Sequence, residues 1–262
     1  MAKGGSRSAL PPAAGTAPAI RITAATAKVR LPIEVGPPRT PRFQTQPTEN
    51  EITHIKVLEI ETPRGPARAH LHPTEAPRAA LVLGHGAGGG VEAPDLVAAT
   101  GAAQAEAISV VLVEQPYRVA GRRSPPGPAQ LDAVWITVVE ALRADELSEL
   151  QLIVGGRSLG ARVACRTVEA TGAVAVLCLA FPLEPPRRAG KPPHSRLPEL
   201  DSVTLPTLVV QGERDPFGMP PPGPSREVVT VPGDHGLKRD VGAVAAAVRA
   251  WLAEVIAGPL ST

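Results

Sequence analysis

A chain of 262 residues that is 43% hydrophobic and carries a formal net charge of +2 has length for one domain with its own core, but not for two full ones. Its apolar runs are strand-sized and broken by Gly, Pro or charge, which argues against a membrane-spanning helix and against a secretory signal. A cytoplasmic protein without a membrane partner is therefore expected. The charge is uneven: residues 1–50 hold seven Lys and Arg against two Glu, a net of +5, which leaves −3 for the rest. These leader charges are dispersed and not interleaved with aromatics, so no nucleic-acid partner is expected either.

Residues 1–50 are rich in Ala, Pro, Gly and Thr with little periodicity, and are expected to form a disordered basic leader. The folded domain should occupy residues 51–262. Strands are expected at His54–Glu61, Ala67–His72 and Ala79–Leu83, the last ending in the glycine-rich Gly84-His-Gly-Ala-Gly-Gly-Gly90. A helix over Asp95–Ala107 and a strand over Ile108–Val113 follow. Past a Pro/Gly loop come a helix over Ala129–Arg143 and a strand over Gln151–Val154. A helix over Leu159–Ala170, a strand over Ala173–Ala180 and a Pro-rich loop lead to strands over Thr207–Gln211 and Glu227–Val231. A final helix spans Val241–Ile256. Near-continuous apolar strands separated by amphipathic helices describe an α/β fold, a mostly parallel sheet with helices on both faces. Cys165 and Cys178 fall on a helix and a core strand without metal-ligand spacing, as buried residues of a reducing compartment.

Ligands of such sheets bind beyond the carboxyl ends of the strands, and the unusual residues all follow strands. Gly156-Arg-Ser-Leu-Gly160 has G-x-S-x-G spacing between a strand and a helix, the setting of a nucleophile elbow. Ser158 is the candidate nucleophile. A hydroxyl needs a base, and His235, after the last short strand, is the candidate. Asp215, beyond the strand ending at Gln211, is the candidate acid that orients it, completing the chain order Ser, Asp, His. Gly84, Gly86 and Gly89 form a weak G-x-G-x-x-G match, which keeps a nucleotide-binding reading of the Gly84–Gly90 loop as an alternative. A glycine turn there also serves an oxyanion hole, with the backbone N–H groups of Ala87 and Leu159 as donors. His85, Tyr117, Arg157, Phe181 and Phe217 are candidate pocket residues, and basic loop residues including Arg187, Arg188 and Lys191 are candidates for attracting an anion. No metal or cofactor is expected.

Several segments in chain order resemble the small α/β-hydrolases related to dienelactone hydrolases. They are Leu83-Gly-His-Gly-Ala-Gly-Gly89, Glu114-Gln-Pro-Tyr117 with Gly121-Arg-Arg123, Gly155-Gly-Arg-Ser-Leu-Gly160, Ala180-Phe-Pro-Leu-Glu-Pro-Pro186, Gln211-Gly-Glu-Arg-Asp-Pro-Phe-Gly218 and Gly233-Asp-His235. Within that group the chain is most similar to the testis-expressed-protein-thirty-like branch, which includes a subunit of a nuclear acetyltransferase complex. The resemblance spans about Val57 to Ile256. It implies the α/β-hydrolase fold without a large cap domain and a triad of Ser158, Asp215 and His235. The implied activity is that of a hydrolase whose substrates the resemblance leaves open; the triad chemistry itself points to a serine hydrolase acting on a small ester or thioester through an acyl-enzyme. A scaffold that keeps the fold without turnover is the rival. One departure stands out: Pro216–Ser225 is too rich in Pro and Gly for the helix such proteins usually carry after the acid, which bears on how Asp215 is presented.

Overall fold

The computed structural model describes residues 22–27, 55–185 and 194–258. Nine strands form one sheet: β1 (Ile22–Ala27), β2 (Ile55–Ile60), β3 (Ala67–His72), β4 (Ala79–Gly84), β5 (Ile108–Glu114), β6 (Gln151–Arg157), β7 (Ala175–Leu179), β8 (Thr207–Gly212) and β9 (Arg226–Val231). Among the described residues six helices accompany these strands: α1 (Pro94–Gln104), α2 (Pro116–Val119), α3 (Pro128–Ala144), α4 (Leu159–Thr171), α5 (Leu197–Asp201) and α6 (Val241–Ala257). The strand order is β1-β2-β3-β5-β4-β6-β7-β8-β9. The pairs β1–β2, β2–β3 and β3–β5 are antiparallel, and all others are parallel. The chain thus has the mostly parallel sheet expected of it.

Why the parallel strands read as unbroken apolar runs is visible in how their residues divide. Ala80, Val82, Val111, Val113, Val154, Val176 and Val209 pack into one core with α3 and α4, including Trp135, Val138 and Val163. Their neighbours Ala79, Leu81, Leu83, Val110, Leu112, Ile153, Leu177, Leu208 and Val210 pack into the other with α1 and α6, including Leu96, Ala99, Val248 and Leu252. Successive side chains of a strand point to opposite faces, so two covered faces demand apolar residues at every position. β3, nearer the edge, alternates buried and more exposed residues.

Three elements lie where none was expected. β1 falls inside the span assigned to a disordered leader and pairs in register with β2, Ile22 opposite Ile60 and Ala27 opposite Ile55. A disordered leader therefore does not run through those six residues, because an edge strand needs only a partner's free ladder of N–H and C=O groups. The rest of residues 1–50 lies outside the described residues, as do Arg187, Arg188 and Lys191. α2 and α5 are single short turns, each with Pro in its first turn, set within segments read as loops.

The strand order also locates the crevice. From β4 the chain moves outward to β5, then returns across β4 through α3 to β6, so β4 and β6 lie side by side with their outgoing connections on opposite faces of the sheet. This is the topological switch point, where open α/β sheets bind ligands. Gly84 at the end of β4 pairs with Gly156 near the end of β6, bringing the glycine loop and the Ser158 turn together.

Candidate active site

The turn from β6 into α4 is tight. Ser158 stands between them with φ +52° and ψ −104°, a sparsely populated conformation for a residue with a side chain. Its N–H donates to the carbonyl of Leu179 at 2.9 Å, anchoring the turn to β7. The flanking glycines have a steric cause: a Cβ on Gly156 or on Gly160 would run into the backbone of Gly84. Side chains at either position would force the glycine loop away from the serine.

The structure brings Ser158, His235 and Asp215 into one chain of hydrogen bonds. His235 Nε2 is 2.9 Å from Ser158 Oγ, and His235 Nδ1 is 2.8 Å from Asp215 Oδ2. A carboxylate only accepts, so Nδ1 carries the proton and donates to Asp215; Nε2 is then the acceptor for the serine hydroxyl. The Asp215 side chain is 1% exposed and that of His235 19% exposed, so the carboxylate is shielded while the imidazole reaches the surface. The expected departure at Pro216–Ser225 does not displace the acid. Phe217 N donates to Asp215 Oδ1 at 2.9 Å, and Gln211 Nε2 donates to Oδ2 at 2.8 Å. Gln211 is not among the site residues expected from the sequence; the available signal was a long polar residue in a strand that is buried throughout.

The glycine loop adjoins the serine: a Cβ on Gly86 would stand 3.6 Å from the Cβ of Ser158. The amides of Ala87 and Leu159 have no hydrogen-bond acceptor among the described residues, and Leu159 opens α4, where backbone N–H groups have no partner within the helix. Tyr117 Oη donates to the Ala87 carbonyl at 3.1 Å and so holds the next peptide of the loop, Ala87–Gly88. Burial pushes the Tyr117 hydroxyl up to about 12, keeping it a donor at any working pH.

Of the five candidate pocket residues, three are engaged otherwise. His85 is 2% exposed and both ring nitrogens are used: Nε2 accepts from Gln115 N at 3.1 Å, which leaves Nδ1–H to donate to the Gly86 carbonyl at 2.8 Å. It braces the loop and offers no polar atom to a ligand. Phe181 is fully buried in the core, and its carbonyl accepts from Gln211 at 3.0 Å. Arg157 is paired with Asp95 and the His235 carbonyl. Phe217, partly exposed, lies against the His235 ring with centroids 4.4 Å apart and a tilt of 56°. Tyr117 lines a cavity of about 160 Å³ with Gln115, Arg122 and Gln130, of which Ser158 is not part. A larger cavity of about 950 Å³ lies at the other end of the strands, between Ala173, Pro206, Arg226 and Trp251, away from the serine.

Cys165 and Cys178 are buried and unbonded, with Sγ atoms 3.6 Å apart between α4 and β7. Among the described residues no group of three His, Cys, Asp or Glu stands ready to hold a metal, and no helix is long and apolar enough to cross a membrane.

Residues 77–238 match the family described as the alpha/beta hydrolase domain, and the chain belongs to that family. No curated protein matches it. Among solved structures it is similar to a lidless α/β serine hydrolase of Xanthomonas campestris, with 20% identity and a TM-score of 0.58 over 81% of this chain and 96% of the other. Est1E of Butyrivibrio proteoclasticus superposes with 16% identity and a TM-score of 0.61 over 77% and 99%. A dienelactone hydrolase of Anabaena variabilis does so with 16% identity and a TM-score of 0.58 over 75% and 95%. These similarities agree with the α/β-hydrolase fold.

Proposed function

We propose that the protein is a serine hydrolase that cleaves a small ester or thioester through an acyl-enzyme, with Ser158, His235 and Asp215 as its catalytic triad. The observation that carries the reading is the pair of hydrogen bonds, 2.9 Å from serine to imidazole and 2.8 Å from imidazole to carboxylate, at the switch point of the sheet. The strained backbone of Ser158 supports it, since such strain persists where function demands it.

The chemistry follows from the atoms. His235 Nε2 takes the proton of Ser158 Oγ as the oxygen attacks the substrate carbonyl. Asp215 holds the imidazole in the reactive tautomer and stabilises the imidazolium. The tetrahedral oxyanion receives the amides of Ala87 and Leu159, without an acceptor among the described residues and fixed beforehand by the His85 bond to the Gly86 carbonyl of the same peptide and by α4. Collapse expels the alcohol or thiol, which takes the proton from His235. Water, deprotonated by the same imidazole, then releases the acid. Phe217 against the imidazole gives the site an apolar wall. Ferulic acid has been seen bound to Est1E, a fold relative, which makes esters of aromatic acids sensible substrates to try beside a short aryl ester. The neighbouring unbonded thiols of Cys165 and Cys178 suit a reducing compartment such as the cytoplasm.

Ser158→Ala in the full chain tests the proposal. It should abolish labelling by a fluorophosphonate and lower turnover of a short aryl ester by about three orders of magnitude or more, with the melting temperature nearly unchanged. A folded wild type that takes no label would return the scaffold reading.

A further inference from the structure

Arg157, between the first glycine of the G-x-S-x-G turn and Ser158, does not face outward. Its Nε lies 2.8 Å from Oδ2 of Asp95, the second residue of α1, whose side chain is 0% exposed while that of Arg157 is 16% exposed. The other oxygen of Asp95 accepts from Leu96 N at 3.0 Å, which sets the carboxylate's orientation. From the same guanidinium, Nη2 donates to the backbone carbonyl of His235 at 3.0 Å. Its Nη1 occupies the space beside Gly86, 2.7 Å from where a Cβ there would stand. One planar cation therefore touches α1, the glycine loop and the loop that carries the imidazole, from a residue adjacent to the serine.

We infer that Asp95 and Arg157 form a positioning pair that fixes the His235 loop against the serine turn; this rests on the hydrolase reading above. The guanidinium suits the task because its nitrogens are fixed in one plane, so with Nε held beside the Asp95 carboxylate the Nη2 group is directed at the His235 carbonyl. An ammonium at the same place is a point charge with no such second direction. Asp95 is needed because a cation at this depth requires a counter-charge. Burial pushes the Asp95 carboxyl up from its usual range, and the charge of Arg157 opposes that shift. The pairing also removes Arg157 as an anchor for a substrate carboxylate, since its charge is already matched and its Nε and Nη2 are engaged.

The pair does not touch the reacting atoms. Its effect is on the distance between Nε2 and Oγ, to which turnover is sensitive: a misplacement of about 1 Å can cost on the order of 100-fold in rate. The test uses the full chain as wild type, Arg157→Ala, Arg157→Lys and Asp95→Asn, with p-nitrophenyl acetate as neutral ester and p-nitrophenyl hemisuccinate as anionic one. Arg157→Ala should lower kcat by about 10- to 100-fold on both esters and shift KM less than about threefold. Added guanidinium should restore part of that loss in Arg157→Ala and nothing in wild type. Arg157→Lys and Asp95→Asn should lower kcat similarly. Should either fail to fold, the guanidinium rescue still decides. A rise in KM confined to the anionic ester would make Arg157 a substrate anchor and overturn the inference, as would unchanged kcat in Arg157→Ala. Fluorophosphonate labelling of wild type separates the two readings: a labelled wild type with unchanged variants sinks the pair alone, and an unlabelled one sinks the hydrolase and the pair together.

Discussion

Nε2 of Gln211 lies 2.8 Å from Oδ2 of Asp215, the same oxygen that receives the Nδ1–H of His235. The amide also reaches the carbonyls of Phe181 and Gly218, each at 3.0 Å. All three partners are acceptors, so the amide nitrogen must face them. This explains why a connection without a helix still presents the acid. Asp215 is held from below by a residue of β8 and from the chain itself by Phe217 N, and the Pro-rich stretch that follows has only to leave.

Gln211→Leu should therefore damage both stability and turnover. Two backbone carbonyls and one carboxylate oxygen lose a buried donor, at a cost of about 1–3 kcal/mol in chemical denaturation. The freed carboxylate should lower kcat for an aryl ester by roughly 10-fold with little change in KM. Unchanged kcat in a folded Gln211→Leu would mean that Phe217 N and His235 suffice.

His85 supplies a pH dependence with a definite sign. Burial lowers its pKa below the ordinary histidine value, against opposing contributions from the Gly86 hydrogen bond and Glu114. Burial, with His70 beside it, also lowers that of His72. The unfolded chain then binds protons that the folded one refuses, so stability is full above about pH 6.5 and falls as pH drops below it toward the folded values. Protonated His85 would also set Nε2–H against the Gln115 N–H. Melting temperatures taken between about pH 7.5 and about pH 5.5 should fall for wild type and fall less for His85→Asn, the residual slope belonging to His72. Equal slopes would assign the dependence elsewhere.

Outside β1, the composition of residues 1–50 predicts easy proteolysis, since the span has too few apolar residues to offset its ordering entropy. Brief trypsin treatment, which cuts after Lys and Arg, should leave a core beginning at Phe43 that keeps its fluorophosphonate reactivity. Strand β1 sits at the sheet's edge and pairs only with β2, so its loss should lower the melting temperature by a few degrees at most. Resistance of every bond before Glu51 would place the leader within the fold.

What was legible in the sequence was local in kind. Unbroken runs such as Ala79–Leu83 announce strands covered on both faces, and Gly156, Ser158 and Gly160 between a strand and a helix announce a sharp turn. The chain order of Ser158, Asp215 and His235 then places three groups at strand ends. The meeting of Arg157 with Asp95 was not legible, because it joins residues 62 positions apart through the packing of α1 beside β6. Gln211 was hidden by its setting, a strand otherwise chosen for burial. His85 and Phe181 were expected in the pocket because they follow strand ends; the structure turns one ring into a loop brace and the other into the core. β1 was missed because an edge strand owes its existence to its partner's free ladder and not to its own periodicity.

The central claim is that Ser158 is the nucleophile, and the most direct measurement is where a fluorophosphonate attaches. Folded wild-type protein should be labelled, digested and mapped by tandem mass spectrometry beside Ser158→Ala. One adduct is expected on the peptide carrying Ser158, and none in Ser158→Ala. An adduct on another residue, or persistent labelling of Ser158→Ala, would contradict the claim.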